Sequence, residues 1–293
     1  METVLLPSTQ SKSLSRTTWA AQLRALGAII WREYLHFVRY PTWIIAFIIW
    51  PILFPATYIF SSFALAGPGG SGVARFLEVA GTENFLGYIV VGTTVWMWAN
   101  TMLWNVGFAL RGEQMRGTLE SNWMTPTSHF FFLLGSGPVH AASTLMFFLF
   151  TVVEFRLFFH LTFDANLLSL LAVFVAALPA LYGLGFTFAS LVITAREANT
   201  FVFLVRGIVM IFCGITYPLT VMPQWMQAVA EWLPSTLIIR AARLAALNHA
   251  PLEAVSRDLL LLLAYGAFWL ALGYLTFSQI ERRARLKGAL NQY

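Results

Sequence analysis

Charge is scarce in this chain. Of its 293 residues, 11% are Asp, Glu, Lys or Arg, less than half of the roughly 25% carried by an ordinary soluble domain. It has two lysines, Lys12 and Lys287, and two aspartates, Asp164 and Asp258. No Gly-x-x-x-x-Gly-Lys-Ser/Thr segment occurs, so the chain lacks the usual machinery for binding and splitting ATP. It has no Gly-x-Ser-x-Gly and no pair of histidines at metal-ligand spacing, which argues against hydrolase and metal-site chemistry. Cys213 is the only cysteine, so an intrachain disulfide is excluded and the redox compartment is left open. Within an apolar run, that thiol reads as a small hydrophobe. Residues 1–18 are rich in Ser and Thr, with no apolar core and no small-residue cleavage site, so they are not a secretory signal. The first apolar run is expected to direct its own insertion.

Apolar residues, in contrast, make up 58% of the chain, and mean hydropathy is +0.71. A soluble fold cannot hide that much apolar surface from water. The fold class expected is an all-α integral membrane protein with six transmembrane helices. An amphipathic interfacial helix comes before them, and an outer re-entrant helical hairpin comes before the last span. The expected spans are about 43–65, 84–110, 131–155, 167–193, 200–217 and 258–280, in a single transmembrane domain over 17–280. A flexible tail, 1–16, and a basic tail, 281–293, flank it. Six spans of about 20 residues leave room for connections but not for a catalytic domain.

Residues 17–40 repeat Trp19, Leu23, Leu26, Ile30, Tyr34 and Phe37 at three- and four-residue spacing, with Arg24, Arg32, His36 and Arg39 opposite. That pattern suits a helix lying in the headgroup plane. In the first span, Pro51 and Pro55 each remove a backbone donor and are expected to bend it. Trp96, Trp98 and Trp104 are spread along the second span, as packing residues are. Ala172, Ala176 and Ala180 offer a smooth face on the fourth. Arg206 lies about six residues into the fifth. It has three outlets: snorkelling to headgroups, contact with Glu197 or the loop, or contact with cargo. The segment 218–257 breaks at Pro223 and Pro234 into two pieces too short to cross a bilayer. Pro218 is expected to kink the fifth span near Gly214, with Tyr217 and Trp225 flanking the bend.

Orientation follows from the basic residues. With both ends on one side, that side holds Lys12, Arg16, Arg24, Arg32, Arg39, Arg111, Arg116, Arg196, Arg282, Arg283, Arg285 and Lys287. The other holds Arg75, Arg240, Arg243 and Arg257. Both termini are therefore expected in the cytoplasm of a cell that carries the protein in its inner (plasma) membrane. The loop 111–124 is expected on the same side. It is charged and helical in pattern, with Glu113–Arg116 and Arg116–Glu120 at three- and four-residue spacing. It reads as a docking element for a soluble partner.

Two local patterns carry a family resemblance. One is Arg116-Gly117-Thr118-Leu119-Glu120 followed by Thr125-Pro126. The other is Gly214-Ile215-Thr216-Tyr217-Pro218, then Met222-Pro223-Gln224-Trp225 and Leu233-Pro234. In this topology the chain resembles the permease subunit of an ABC-2 type transporter, the family that includes daunorubicin-type drug exporters and polysaccharide exporters. The resemblance implies two cytoplasmic ATPase subunits holding ATP and Mg2+, and a second permease, identical or homologous. It implies no cofactor in this chain. ATPase coupling would fall to Arg111, Glu113, Arg116, Gly117, Thr118 and Glu120, with Arg24 and Arg32 of the N-terminal helix. The substrate route or gate would involve Trp96, Gly214, Tyr217, Pro218, Pro223 and Trp225. Membrane lipids are further partners, and nucleic acid is not. The cargo expected is an amphiphilic drug, a lipid-like molecule or a glycan moved outward. The competing classes are a membrane enzyme acting on lipid-linked substrates, a glycan-specific exporter within the same family, and a structural membrane subunit.

Overall fold

The computed structural model describes residues 19–66, 71–82, 84–107, 112–113, 115–118, 121, 125, 134–194 and 198–287. Among these the chain is all-α, apart from one short 3-10 turn at Leu219–Val221. The α-helices are α1 (Trp19–Arg39), α2 (Pro41–Leu65), α3 (Ser71–Ala80), α4 (Phe85–Gly107), α5 (Gly137–Phe159), α6 (Leu167–Thr194), α7 (Ala198–Phe212), α8 (Gln224–Glu231), α9 (Pro234–Leu247) and α10 (Leu252–Lys287).

Four stretches of the described residues are long and apolar enough to cross a membrane: Ile44–Leu65, Leu134–Phe159, Leu167–Ser190 and Leu252–Gln279. They make this a multi-span membrane protein. Val202–Phe212 is a shorter apolar stretch on α7. α4 is long enough, at 23 residues or about 34 Å, but it is less apolar. The reason lies in its surroundings: α4 is buried along most of its length, against α2, α5, α6, α7 and α9. A helix covered by protein need not be greasy. Its hydroxyls are spent on its own backbone, Thr93 Oγ1 donating to Ile89 O at 2.7 Å and Thr94 Oγ1 to Val90 O at 2.6 Å.

The most extensive helix pairing joins α6 to α10. Small residues let the backbones meet, as they do in membrane bundles. A Cβ on Gly183 would lie 2.5 Å from Leu270 N, and Ala176, Ala177 and Ala180 are buried. Pro51 and Pro55 both lie inside α2 and are buried, and the helix runs unbroken through them.

Two elements differ from the sequence reading. α3 occupies a stretch to which the sequence reading assigned no element. Its Phe76 sets its ring edge-on to Phe85 at 5.0 Å and to Tyr88 at 5.2 Å, capping the start of α4. The last helix begins at Leu252 and continues into the basic tail as far as Lys287, a single helix of 36 residues.

At the end of the bundle that carries α3, α8 and α9, the connections are tied by backbone hydrogen bonds. Asn166 N donates to Ala245 O at 2.8 Å and His249 N to Asp164 O at 2.9 Å. α9 is buried along ten of its 14 residues, so it is wedged into this end of the bundle. α1 lies at the opposite end, where it packs on the start of α5: a Cβ on Gly135 would meet Ile29 Cγ2 at 2.4 Å.

Candidate functional site

The end that carries α1 holds a compact polar cluster. Residues 112–113 and 115 are helical, and Gly117 then takes φ +71°. Thr118 N donates to Glu113 O at 3.0 Å, the six-to-one bond of a Schellman cap. The loop helix expected over 111–124 is therefore interrupted at Gly117, and Ser121 is helical again; residues 119–120 and 122–124 fall outside the described residues. Among the described residues nothing stands within 4 Å of a Cβ on Gly117, and the glycine supplies the left-handed backbone angle of the cap.

The cap turns Glu113 inward, where it is 4% exposed. Arg116 Nη2 donates to its Oε1 at 2.7 Å, and Thr118 Oγ1 to its Oε2 at 2.5 Å. Arg32 of α1 reaches the same carboxylate at 3.5 Å while holding Glu33 at 2.7 Å. Burial by itself would raise the Glu113 pKa. The hydrogen bonds from Thr118 and Arg116, with the charges of Arg32 and Arg116, outweigh it and hold the value below the usual 4.5. Glu113 therefore ties the N-terminal helix to the turn after α4. Asn105 Nδ2 and His140 Nδ1, 3.3 Å apart, link the ends of α4 and α5 nearby.

The helical-wheel reading of α1 placed Arg32 opposite the apolar stripe. In the structure Arg32 shares the inward side with Leu26, Ile29 and Phe37, while Trp19, Leu23, Trp31, Tyr34 and Val38 are exposed. The apolar arc of α1 is wide enough to serve two surfaces. Arg24 is exposed and lies eight residues before Arg32, or about 12 Å along the helix, outside the cluster. Arg111 and Glu120 fall outside the described residues, and with Glu120 the expected Arg116–Glu120 pair.

A second cluster sits in the body of the bundle. Trp96, 5% exposed, stacks on Phe54 of α2 at 4.7 Å and 11°. The Arg206 guanidinium of α7 lies 5.6 Å from the Trp96 ring and 5.5 Å from Phe203. Phe203 in turn meets Trp104 edge-on at 5.7 Å. The row Phe54–Trp96–Arg206–Phe203–Trp104 thus crosses α2, α4 and α7. Trp98, by contrast, is core packing between Phe174 and Phe148. Glu197 falls outside the described residues.

One helical turn along α4 from Trp96, Gly92 meets the turn that follows α7. α7 ends at Phe212, and Gly214 takes φ +60°. The break therefore comes from a left-handed glycine and not from a kink at Pro218, which stands beyond the helix in extended conformation. Tyr217 folds back to donate its hydroxyl to Ile211 O. Trp225, 64% exposed, sets its ring edge-on to Phe212 at 6.0 Å, and Pro223 caps α8. Arg243 of α9 fixes the turn. Its Nη2 donates to Ile215 O at 2.7 Å, its Nε donates to Tyr88 O at 3.2 Å, and its guanidinium lies 3.4 Å from the centroid of the Tyr88 ring. Gly214, Tyr217, Pro218 and Trp225 are thus brought together, and Trp96 belongs to the neighbouring cluster.

Gly92 makes this contact possible. A Cβ there would lie 2.0 Å from Ile215 O and 2.4 Å from Arg243 Nη2. Gly92→Ala is expected to destabilise the protein by about 1–3 kcal/mol through overpacking against backbone, lowering the thermal midpoint of the purified protein. An unchanged midpoint would show that the turn is not seated against α4.

The family described as ABC-2 family transporter protein matches residues 55–275, three quarters of the chain. The chain belongs to the ABC-2 transporter family. No curated protein sequence matches it significantly. Membership agrees with a transport subunit in preference to an enzyme. The matched segment of this ABC-2 protein includes Trp96, Arg206 and the Glu113 turn, and it leaves α1 outside. Sequence reasoning missed Phe54 and Arg243 as members of these clusters. Arg243 carried a signal, being one of two charges in an otherwise apolar 14-residue helix. Phe54 carried none, since aromatic residues are common throughout α2.

Proposed function

We propose that this chain is the membrane permease subunit of an ATP-binding-cassette exporter. Two separate ATPase subunits drive it, and it pairs with a second permease, identical or homologous. In this reading α2, α4, α5, α6, α7 and α10 are the six spans, and α8 and α9 form the re-entrant hairpin at the outer end. Both termini, α1 and the Glu113 turn face the cytoplasm, as the excess of Lys and Arg at that end supports. The exposed stripe of Trp19, Leu23, Trp31, Tyr34 and Val38 suits contact with headgroups. The cargo is amphiphilic: a drug, a lipid-like molecule or a glycan.

One observation carries the coupling part of this reading. The carboxylate of Glu113 joins α1 to the turn between α4 and α5 in a chain that lacks a nucleotide site of its own. A force applied to the turn is passed to α1, and through it to the start of α5. Glu113 is buried, so it organises the surface, while Arg116 and Met115, the latter 79% exposed, present it. Such a surface suits docking by charge complementarity.

The test is a crosslink. Cys213, the only thiol, is replaced by Ala, and Met115→Cys is introduced. The protein is co-expressed with a candidate partner ATPase that carries a Walker motif. Crosslinks that change with nucleotide state are expected. An intact complex with no crosslink in any nucleotide state would remove the turn from the ATPase interface. Turnover of a lipid-linked substrate by the purified chain without ATP would favour the membrane-enzyme class instead.

A further inference from the structure

The arginines whose side chains are described fall into three groups. Arg24, Arg39, Arg75, Arg156, Arg257 and Arg282 are exposed. Arg32, Arg116, Arg240 and Arg243 have oxygen partners inside the protein. Arg206 stands apart. It is half-buried on an otherwise apolar helix, and among the described residues it has π faces for neighbours but no hydrogen-bond or ion-pair partner. A guanidinium offers five N–H donors in one plane, and aromatic faces stabilise its charge without accepting all of them. None of the three helices that form the cluster, α2, α4 and α7, carries an acidic residue anywhere along its length. A second copy of this chain would bring the same acid-free helices. These three helices offer Arg206 no anion, and the head group of a bound molecule would supply one.

The geometry points to a binding site for the anionic head of an amphiphile, with Arg206 holding a phosphate, sulfonate or carboxylate group. The aromatic row Phe54–Trp96 and Phe203–Trp104 lies alongside the apolar body. Planar two-point recognition of oxyanions is what a guanidinium does better than an ammonium. The Trp96 and Phe203 rings, 5.6 Å and 5.5 Å from the guanidinium, stabilise its charge and leave its N–H donors for the anion. The cluster sits one turn of α4 away from the contact between Gly92 and the turn after α7, so an occupant would lie beside the segment proposed above as part of the route. As a cargo contact this inference rests on the exporter reading, and it narrows the cargo: acidic amphiphiles are favoured and cationic ones are opposed by Arg206.

The test measures binding, so it needs no ATPase. The full chain is placed in phosphatidylcholine nanodiscs. Two pyrene-labelled dodecyl probes, one a sulfonate and one a trimethylammonium, share a body and differ in charge. Energy transfer from tryptophan to pyrene reports binding. The sulfonate is expected to bind about tenfold or more tighter, the equivalent of one charge-assisted contact. Arg206→Gln should bring the ratio close to one, and Arg206→Lys should restore part of it. Adding phosphatidate to the discs separates the sources of the anion. Competition assigns the site to a lipid headgroup, and no competition assigns it to a non-lipid cargo. Equal binding of the two probes by the unaltered protein would overturn the site, a result that does not depend on any variant folding. So would a preference that survives Arg206→Gln. Failure of the exporter reading is a separate result: no ATP-dependent movement of any probe by the assembled complex.

Discussion

Arg240→Ala is expected to destabilise the protein by roughly 3–5 kcal/mol, because it strands a buried carboxylate. Arg240 of α9 grips Asp258 of α10 from two sides, with Nε donating to Oδ2 at 3.0 Å and Nη2 donating to Oδ1. The two ends of this pair are unequal. The Asp258 side chain is 8% exposed and that of Arg240 is 41% exposed. Without Arg240, the Asp258 carboxylate is left unpaired and away from water. Without Asp258, Arg240 can swing outward to solvent or headgroups. Asp258→Ala should therefore cost clearly less than Arg240→Ala. Replacing both residues with apolar ones should recover much of the loss. Thermal unfolding of the purified protein and of the three variants measures this as a double-mutant cycle. Additive losses, with the double variant losing the sum of the two singles, would show that the pair does not bind α9 to the last helix.

This pair also shows how far the sequence could be read. The apolar runs of α2, α5, α6 and α10 stand out by length and composition alone, since lipid-facing helices must be apolar along their whole length. α4 is harder to see. It faces protein on most sides, so Thr, Asn and Gly replace part of its apolar surface. α3 was hidden by its approach: a Gly-rich stretch reads as a loop, and ten residues are too few for a strong periodic signal. The break after α7 was placed correctly near Gly214 but for another reason. Proline is the stronger signal in a sequence, whereas here the left-handed glycine acts first. Arg32, Arg240 and Arg243 could be flagged as charges in apolar helices, but their partners Glu113, Asp258 and Ile215 come from other elements. Only the helix–helix arrangement brings them together. Arg206 was marked as anomalous in the sequence, and the structure adds the aromatic row around it.

Glu113→Ala is expected to uncouple the two ends of the machine. It removes one carboxylate and with it the contacts from Arg116, Thr118 and Arg32. The Arg116 and Thr118 bonds hold the turn in shape, and the 3.5 Å Arg32–Glu113 ion pair reaches across to α1. Losing a partly exposed ion pair of about 1 kcal/mol shifts the docked–undocked equilibrium of α1 by about fivefold. Substrate-stimulated ATP hydrolysis by the complex should fall steeply while membrane insertion stays unchanged, because Glu113 lies outside the spans. Arg32→Glu should mimic the loss, and Arg32→Glu combined with Glu113→Arg should restore part of it. The same carboxylate sets a pH response. Its native pKa lies below 4.5, so its contribution is complete above about pH 4.5 and is lost as the pH falls through the lowered native value. Spin labels on the exposed positions Ala28 and Met115 read the separation of α1 from the turn. The distance should be unchanged between pH 7 and pH 5 and should lengthen on further acidification. In Glu113→Ala it should already be long and heterogeneous at neutral pH. A short, uniform distance in that variant would mean that α1 is held by its packing on α5 alone and that the carboxylate is not the tie.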